Sequence, residues 1–441
     1  TCALPISPVI MENDVQFQDI SAASVRINGG VVKPACEYSE IFSQATGCKV
    51  YLKRETKQYT GSFKERGALN TLLLLTPEQR KAGVIAASAG NHALGLAYHS
   101  QRLGIKCTVV MPAGAPLTKI SNCRRLGAKV VLFGDHFGQA KEKAMEMGKE
   151  EGILFVNGYD DKPIIAGTGT IGLEILQEVP DVDAIIIPVG GGGLLAGIGT
   201  AVKYLKPAVR IIGVESNQVP SMTEAMAAGH PITVASGLSL ADGLAVPQVG
   251  DRAFAICRKV MDSLYLVKES QIALAILRLL EWDKSVVEGA GASGIAALLQ
   301  HSELFSALDD LNGKTVVIPI CGGNIDIPIL GRVISQGMAV DRRVLLLQCQ
   351  ISDTPNSLAR FVNCVGGAGA DIRDILHDRA FSDPKSVLLR VIVEVQDKEH
   401  GKRVVKGLTE EGYEVILQES KPIFPPRQMD HTAHSETESK L

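Results

Sequence analysis

The segment GSFKERGA, residues 61–68, places a single lysine between small and aromatic neighbours just before an apolar run. Most lysines in proteins are solvated surface charges, so an ordinary position at a helix start is the simplest interpretation of Lys64. A lysine amine that is removed from water has a lowered pKa, however, and then becomes a nucleophile towards carbonyl compounds. The choice between the two interpretations depends on what the rest of the chain places around Lys64.

Four consecutive glycines form a second segment that could do chemistry. Gly190, Gly191, Gly192 and Gly193 follow the apolar run AIIIPV and precede a helical pattern. Backbone N–H groups at such a strand-to-helix turn converge on an anion, and the helix N-terminus favours negative charge there. The run therefore predicts a phosphate site, with a merely tight turn as the alternative.

A dinucleotide site is the main rival interpretation of this glycine run. Gly191, Gly193 and Ala196 formally match the fingerprint G-x-G-x-x-A, and Glu215 lies at the end of the next predicted strand, where a ribose-binding acid would stand. On this alternative the protein is a nicotinamide or flavin oxidoreductase. The fingerprint alone does not separate the two interpretations.

Three further loops are predicted to converge with Lys64 and the glycine run. SAGNH (88–92) and CGGN (321–324) each end a buried strand, and ADGL (241–244) lies in a glycine-broken loop between them. With one lysine and a phosphate cradle, these loops predict a site for a phosphate-bearing carbonyl compound. An aldehyde forms a Schiff base with a desolvated lysine, and pyridoxal phosphate carries both an aldehyde and a phosphate.

The elements that must position these loops alternate between strands and helices from about residue 83 to 335. Short apolar runs closed by Gly, Pro or Ser are typical of strands buried on both faces. Here these runs are GVIAAS, CTVVMP, AKVVLFG, AIIIPVG, RIIGVES and TVVIPI, and helical patterns such as HALGLAYHSQRLG and LLAGIGTAVKYLKP separate them. Repeated strand–helix–strand units predict parallel sheets, whose ligands bind beyond the carboxyl ends of the strands.

A different pattern begins near residue 342. The predicted strands are RVLLLQCQI, ADIRDILHDRAF, SVLLRVIVEV and YEVIL, and two helices lie among them in the order βαββαβ. Asp353 is the predicted N-cap of the first of these helices, with Pro355 in its first turn. We expect a ferredoxin-like domain over residues 342–418 and a disordered polar tail over residues 419–441.

Length and composition limit the class of protein. A chain of 441 residues is expected to form two or three domains. Its 46% hydrophobic and 5% aromatic residues, with 44 glycines, suit an α/β protein with many tight turns. The net charge of −3 gives no electrostatic case for nucleic acid or an anionic membrane as a partner, and no apolar stretch reaches the ~20 residues of a membrane span.

The cysteines and the N-terminal segment indicate in which cellular compartment the protein is expected. Nine cysteines without a C-x-x-C pair, and histidines without H-E-x-x-H spacing, argue against a disulfide framework and a structural zinc site. The segment TCALPISPVI precedes the first methionine, so we expect residues 1–10 to be a non-native leader and the protein to start at Met11. The residues after Met11 lack the character of a transit peptide. A cytoplasmic protein is therefore expected.

The combination of GSFK, SAGNH, GGGG and CGGN resembles the fold-type-II pyridoxal-phosphate enzymes, specifically the threonine/serine dehydratase and serine racemase family, over about residues 20–335. The resemblance implies an α/β catalytic domain over residues 11–340, with two parallel-sheet subdomains like those of the tryptophan synthase β chain. The smaller subdomain, about residues 83–159, would be inserted in the larger one. The resemblance also implies pyridoxal 5′-phosphate as cofactor and a homodimer or homotetramer, and it makes the dinucleotide alternative a minor one.

The same resemblance assigns roles to individual residues. Lys64 would hold the cofactor covalently, Asn91 would bond its 3′-oxygen, and Cys321 would face the pyridine nitrogen, where relatives carry Ser or Cys. The remaining cofactor contacts would come from residues beside the ring and around the phosphate: Phe63, Gly243, Gly190, Gly191, Gly192 and Gly193. The substrate carboxylate would be received by the turn that comprises Ser88, Ala89, Gly90, Asn91 and His92.

By this resemblance we expect the protein to dehydrate L-threonine and L-serine. Freed Lys64 would remove the α-proton as a general base and the β-hydroxyl would leave. L-threonine would then give 2-oxobutyrate and ammonia, and L-serine would give pyruvate and ammonia. A neutral Cys321 thiol would make the ring a weaker electron sink, which favours prompt elimination.

Two alternatives to a lyase stay open. Racemisation needs a second base on the opposite face of the substrate, and serine racemases provide it by a serine at the position of Ala89. Tyr159 also falls where dehydratases tend to carry an aromatic residue. A serine racemase with side lyase activity is thus the first alternative. A catalytically idle amino-acid sensor is the second, and the intact Lys64 argues against it.

A cation is a further expectation from the resemblance. Relatives often place one near the strand end that here reads GVESNQVPS. Glu215 matches the ligand carboxylate, but Ser221 stands where a racemase-type aspartate would be. A single carboxylate provides few ligands for a hard divalent ion. A mono- or divalent cation at this position therefore stays an open alternative.

The C-terminal domain resembles an ACT domain, a small regulatory fold that senses amino acids. Its D-x-P-x-x-L start comprises Asp353, Pro355 and Leu358. Relatives usually carry Gly where this chain has Asn356, and Asn also tolerates the left-handed conformation. We expect an amino-acid effector such as isoleucine, valine or serine, with a purely structural appendage as the alternative.

Overall fold

The computed structural model describes residues 15–235, 237–299, 309–379 and 384–418. The expected leader of residues 1–10, the expected start at Met11 and the expected tail of residues 419–441 lie outside these ranges. The chain divides into two compact units, which are residues up to 272 with 279–326, and residues 273–278 with the chain from 327 onward. The domain boundaries given above stay predictions. None of the helices in the described ranges has the length and hydropathy needed to cross a membrane.

Strands and helices alternate along the described chain. The strands are β1 (Cys36–Tyr38), β2 (Lys49–Lys53), β3 (Val84–Ala87), β4 (Cys107–Met111), β5 (Lys129–Leu132), β6 (Leu154–Phe155), β7 (Ala184–Pro188), β8 (Arg210–Ser216), β9 (Ser263–Val267), β10 (Thr315–Pro319), β11 (Val344–Ser352), β12 (Asp371–Asp378), β13 (Ser386–Glu394) and β14 (Val415–Gln418). The helices are α1 (Phe17–Arg26), α2 (Glu40–Thr46), α3 (Lys64–Leu73), α4 (Pro77–Ala82), α5 (Asn91–Arg102), α6 (Leu117–Arg125), α7 (Phe137–Glu151), α8 (Lys162–Glu178), α9 (Gly193–Leu205), α10 (Ser221–Ala228), α11 (Asp251–Val260), α12 (Glu269–Trp282), α13 (Gly289–Leu298), α14 (Ile327–Val340), α15 (Ser357–Gly367) and α16 (Lys398–Glu410).

The first unit contains a six-stranded sheet in the order β1–β2–β10–β7–β8–β9. β1 is antiparallel to β2, and every other neighbouring pair is parallel. The central strands β7 and β10 are buried along their whole length, as their uninterrupted apolar runs predict. Because β2, β10 and β7 are parallel neighbours, the segments that follow them emerge at the same edge of the sheet. These segments are GSFK, CGGN and the four glycines.

The same unit contains a second, smaller parallel sheet in the order β5–β4–β3–β6. SAGNH follows β3 and leads into α5. A Cβ on Gly95 of α5 would lie 3.3 Å from the carbonyl carbon of Lys64, so α5 packs directly on the start of α3. This close approach brings SAGNH beside Lys64.

The two parallel sheets confirm the predicted α/β fold class. All six apolar runs singled out above are strands (β3, β4, β5, β7, β8 and β10), and the two quoted helical patterns are α5 and α9. β1, β2, β6 and β9 were not predicted from the sequence. β1 and β6 have three and two residues, which is too short for a periodic pattern. β2 begins and ends with a lysine, and β9 is mostly half-buried or exposed, so neither forms an uninterrupted apolar run.

The second unit contains an antiparallel four-stranded sheet in the order β12–β13–β11–β14. β11 and β13 alternate buried residues with more exposed ones, so one face of the sheet is apolar. Phe361 of α15 and Val404 of α16 belong to the same buried cluster as this face. The strand order and the element order βαββαβ confirm the predicted ferredoxin-like fold.

The start of α15 differs from the prediction. The helix begins at Ser357, and its N-cap is Asn356 with a φ of +69°. The Asp353 carboxylate instead accepts a hydrogen bond from Arg379 Nε at 2.9 Å. The prediction of an N-cap at Asp353 with Pro355 in the first helical turn is therefore wrong. Asn356 does adopt the left-handed conformation that we expected it to tolerate.

Candidate active site

The GSFK segment is tied to the CGGN segment by main-chain hydrogen bonds. Ser62 pairs with Gly322 in a short antiparallel bridge. The N–H of Phe63 donates to the carbonyl oxygen of Cys321 at 3.0 Å. These bonds are a direct result of the pairing of β2 with β10, and they place Lys64 beside Cys321.

The Lys64 amine is held inside this site. Nζ donates to the carbonyl oxygen of Gly158 at 2.6 Å and lies 5.1 Å from the centre of the Phe63 ring. Burial lowers the pKa of Lys64 from 10.5 to about 8, and electrostatic interactions with Cys321 and Glu288 partly oppose this lowering. A substantial neutral fraction near neutral pH makes the amine a nucleophile.

The tetraglycine turn leaves no room for side chains. A Cβ on Gly191 would overlap the ring of Tyr159, and a Cβ on Gly193 would overlap the carbonyl oxygen of the same tyrosine. A Cβ on Gly190 would lie 2.9 Å from the carbonyl oxygen of Gly243, so the ADGL loop lies against this turn. The close approach of two other main-chain segments therefore requires glycine here.

The turn also presents N–H donors. Gly192 is the N-cap of α9 and has a φ of +92°, which glycine adopts without strain. The carbonyl oxygens of Gly191 and Gly193 accept hydrogen bonds from the N–H of Gly250 at 3.1 Å and from Thr168 Oγ1 at 3.2 Å. The first N–H groups of a helix have no intrahelical acceptor, so the start of α9 can donate to an anion.

SAGNH forms the turn between β3 and α5. Ser88 Oγ accepts a hydrogen bond from the N–H of Gly90 at 3.2 Å, and Ala89 is half-buried. Gly90 is the N-cap of α5, and a Cβ on it would have no heavy atom within 4 Å. An open helix N-terminus of this kind suits a carboxylate.

The side chain of His92, the last residue of this segment, is buried. Its Nε2 lies 3.2 Å from the carbonyl oxygen of Val156, and a Cβ on Gly158 would lie 2.7 Å from its ring. Burial and the nearby Lys64 lower the pKa of His92 to about 3, so the imidazole is neutral. The side chain does not offer a positive charge to a carboxylate, and a substrate contact by the main chain of His92 stays a prediction.

A row of amide groups crosses the site from Thr60 to Glu288. Asn324 Nδ2 donates to the carbonyl oxygen of Thr60 at 2.7 Å and to Asn91 Oδ1 at 2.8 Å. Asn91 Nδ2 in turn donates to Glu288 Oε1 at 2.6 Å. The predicted cofactor ligand Asn91 is therefore held at both ends of its amide.

The Cys321 thiol is buried and lies 3.3 Å from the carbonyl oxygen of Pro319. Burial raises the pKa of Cys321 well above its ordinary value, and the carboxyl groups of Glu55 and Glu288 raise it further. The thiol is therefore protonated at neutral pH. This agrees with the neutral group expected at this position.

Comparison with known proteins decides the family. The family described as "Pyridoxal-phosphate dependent enzyme" matches residues 27–322. The chain belongs to this family. Among its relatives, the L-threonine ammonia-lyase of Thermotoga maritima is 40% identical over 405 residues, which cover 91% of this chain and 99% of that protein. The family membership overturns the dinucleotide alternative.

Two solved structures resemble the fold. The processed form of threonine deaminase isoform 2 from Solanum lycopersicum has a TM-score of 0.69 and 34% identity, covering 76% of this chain and 93% of that chain. Maize serine racemase has a TM-score of 0.69 and 31% identity, covering 74% of this chain and 98% of that chain. A lyase and a racemase are thus both structural neighbours.

The residues present fit the cofactor of the family. A desolvated amine is available for the aldehyde of pyridoxal phosphate, and a turn without side chains at a helix N-terminus is available for its phosphate. The structure places the predicted ring neighbours Phe63 and Cys321 beside Lys64 at the edge of the large sheet, and the hydrogen bond from Asn324 brings Asn91 of the smaller sheet to the same site. Their individual roles towards the cofactor stay predictions.

The Glu215 carboxylate of this pyridoxal-phosphate enzyme is hydrogen-bonded to the first turn of α10. Its carboxylate accepts hydrogen bonds from the N–H of Met222 at 2.6 Å and from the N–H and hydroxyl of Thr223 at 2.9 and 2.8 Å. Burial raises the pKa of Glu215 to about 7. Across residues 15–418, leaving out the undescribed gaps, no group of three or more His, Cys, Asp or Glu side chains could hold a metal ion. A cation beside Glu215 and Ser221 stays a prediction.

Several groups that contribute to the site were not predicted from the sequence. They are the Gly158 carbonyl that receives Lys64, the Glu288 carboxyl that receives Asn91, and the ion pair of Lys119 with Asp242 at 2.7 Å. The partners in these contacts are 94, 197 and 123 positions apart in sequence. No local pattern could have revealed contacts at such separations.

Proposed function

We propose that this protein is an L-threonine ammonia-lyase that also deaminates L-serine, with pyridoxal phosphate as its cofactor. The observation that carries the proposal is the Lys64 amine, whose pKa is lowered by burial, at the strand ends that also bear the tetraglycine turn. The likeness of nearly the whole chain to an L-threonine ammonia-lyase supports the substrate.

The chain's own residues would hold the cofactor at three points. Gly190–Gly193 would donate main-chain N–H groups to the phosphate, and Lys64 would bind the carbonyl carbon. Neutral Cys321 would leave the ring nitrogen without an anionic partner. When bound, pyridoxal phosphate withdraws electrons from the α-carbon of an amino acid and so weakens its C–H bond.

Lys64 Nζ would then accept the α-proton of the substrate. An amine with a pKa of about 8 is neutral in a large share of molecules near that pH, which general-base work requires. The hydrogen bond of Nζ to the Gly158 carbonyl oxygen restricts the directions in which the amine can point. Loss of the β-hydroxyl as water, followed by hydrolysis, gives 2-oxobutyrate and ammonia from L-threonine.

The start of α5 would bind the substrate carboxylate. Its N-cap Gly90 has open space where a side chain would stand, and the helix dipole favours a negative charge there. The packing of Gly95 on the start of α3 fixes this helix end relative to Lys64. The substrate would therefore be oriented by the small sheet and deprotonated from the large one.

Serine racemase is the second candidate function, favoured by the likeness to the maize enzyme. A racemase needs a proton acceptor on the second face of the substrate. Ala89 has none, and burial raises the pKa of Tyr159 to about 12, which keeps its phenol protonated. We therefore propose that elimination prevails.

An absorbance experiment tests the proposal. The purified protein is loaded with pyridoxal phosphate, freed of unbound cofactor by gel filtration, scanned in the visible range and then mixed in turn with L-threonine, L-serine and D-serine. We expect a band that is lost in the Lys64→Ala variant and kept in the control variant Lys57→Ala, because Lys57 is exposed on the preceding turn. We also expect release of the oxoacid from L-threonine.

Each other outcome selects an alternative. Conversion of L-serine to D-serine at a rate comparable with pyruvate release would select the racemase and show that a residue other than Ala89 serves the second face. A protein that keeps no band after loading and gel filtration would contradict the lyase and favour the idle amino-acid sensor. A band that persists in Lys64→Ala would contradict the role of Lys64.

We also propose that the ferredoxin-like domain binds an amino-acid effector. Its resemblance to ACT domains supports this, as does the left-handed Asn356 at the position where relatives usually carry Gly. Isoleucine, valine or serine should shift the L-threonine saturation curve. A curve that none of the three changes would leave the domain as a structural appendage.

We further propose that the protein is a homodimer or homotetramer in the cytoplasm. Analytical ultracentrifugation would measure the size of the assembly. The eight free thiols among the described cysteines suit a reducing compartment.

A further inference from the structure

Glu288 is a buried carboxyl group that is hydrogen-bonded to the CGGN loop through its main chain. It is the N-cap of α13, is 6% exposed, and its N–H donates to the carbonyl oxygen of Gly322 at 3.1 Å. A Cβ on Gly322 would overlap Glu288 Oε1. The glycine at this position therefore provides the space in which the carboxyl group lies.

This carboxyl group ends a row of hydrogen bonds whose direction is unambiguous. The main-chain oxygen of Thr60 can only accept, so the Asn324 group beside it must be Nδ2. The second N–H of Asn324 then faces Asn91 Oδ1, which leaves Asn91 Nδ2 to donate to Glu288. Only one of the two N–H groups on Asn91 Nδ2 is used by these bonds, and the other remains for a ligand.

Charged groups from several elements surround Glu288. Burial and Asp242 raise the pKa of Glu288 to about 7, while the Asn91 hydrogen bond, Lys119 of α6 and the main chain of Asn324 oppose this. In the other direction, the charge of Glu288 raises the pKa of two groups that face the cofactor site, the Lys64 amine and the Cys321 thiol. Glu288 is thus coupled both to an amide that would bind the cofactor and to the amine that would react with it.

We propose that Glu288 is a positioning residue of this active site: it orients the Asn91 amide towards the cofactor by accepting its hydrogen bond, and it adds a negative charge to the surroundings of Lys64. This inference rests on the proposed function. Its consequence is that the protonation of Lys64 depends on the ionisation of Glu288. When Glu288 gains a proton, positive charge on the Lys64 nitrogen loses a stabilising partner.

The Glu288→Gln variant separates charge from geometry. Gln Oε1 can still accept the hydrogen bond of Asn91, but the side chain carries no charge at any pH. Glu269 offers a matched control, since it is also a buried carboxyl at a helix start, 3% exposed, and accepts hydrogen bonds from Ser216, Ser239 and Leu240. Glu269→Gln removes an equally buried charge from outside the row of amides.

The measurement is the visible absorbance of the holoenzyme as a function of pH, without substrate. In Glu288→Gln we expect the midpoint of the spectral change to move to lower pH by on the order of one unit, since a nearby negative charge is lost. In Glu269→Gln we expect the wild-type midpoint. The midpoint reports protonation, so a purely structural role of Glu288 would not move it.

Three results would overturn the inference. A wild-type midpoint in folded Glu288→Gln would show that Glu288 does not act on Lys64, and an equal shift in Glu269→Gln would show a nonspecific effect. A wild-type holoenzyme without a visible band would overturn the proposed function as well, which distinguishes the two failures.

A second variant decides the case in which Glu288→Gln does not fold. Asp242 is exposed, so Asp242→Asn is tolerated by the core, and removing its charge lowers the pKa of Glu288. The acid limb of the spectral titration should therefore move to lower pH. An unchanged acid limb in Asp242→Asn would overturn the inference.

Discussion

A pH titration from about 6 to about 10 of the protein freed of cofactor should show how far burial lowers the pKa of Lys64. Burial lowers the pKa of Lys64 from 10.5 to about 8. At pH 7 about 9% of such amines are neutral, against about 0.03% of amines that titrate at 10.5. The structure therefore predicts roughly 300-fold more of the reactive, neutral form at this one lysine.

Competition labelling measures this ionisation residue by residue. Trace acetic anhydride is added at each pH, and acetylation of the Lys64 peptide is quantified by mass spectrometry relative to an added nucleophile whose reactivity is constant over this pH range. Only the neutral amine reacts, so labelling should rise with pH to a plateau with a midpoint near 8. Restricted access lowers the plateau but leaves the midpoint unchanged. A midpoint above about 9.5 would refute the argument that desolvation dominates at Lys64.

Two further predictions concern the support of the site. Arg66, two residues after Lys64, is fully buried against Glu55 at 2.7 Å, and Arg66→Met should lower the free energy of unfolding by about 3–5 kcal/mol because a buried carboxylate loses its partner; a loss below about 1 kcal/mol in chemical denaturation would contradict this. Gly193→Ala would force a Cβ onto the Tyr159 carbonyl oxygen and should weaken cofactor binding more than tenfold by fluorescence titration, with about 1–3 kcal/mol of destabilisation. Its control is Gly331→Ala, where no heavy atom lies within 4 Å, and equal losses in both variants would rule out the steric explanation.

Much of the site follows from the sequence because its loops end apolar strands. The runs AIIIPV and TVVIPI are buried strands, and the polar or glycine-rich segments that follow them lie at the carboxyl edge, as parallel sheets require. The strand order could not be obtained in the same way. β2 pairs with β10 so that Lys53 lies opposite Pro319, and no pattern in the sequence indicates that these two distant segments pair.

Electrostatic neighbours were the least predictable feature. Glu288 reads as an ordinary helix-start glutamate after two valines, and only its burial and its bond to Asn91 give it a place in the site. The N-cap prediction at Asp353 failed for a similar reason. A carboxylate near a helix start can cap the helix, but here the oxygens of Asp353 accept hydrogen bonds from Arg379, the residue directly after β12.

The adjacency of β2 and β10 also orders events during synthesis of the protein. Lys64 leaves the ribosome early, whereas the strand that lies beside β2 and the loop that bonds to Phe63 are made about 250 residues later. A nascent chain that stops before Thr315 therefore lacks one wall of the lysine's site. We therefore expect stable capture of the cofactor to follow translation of the first unit.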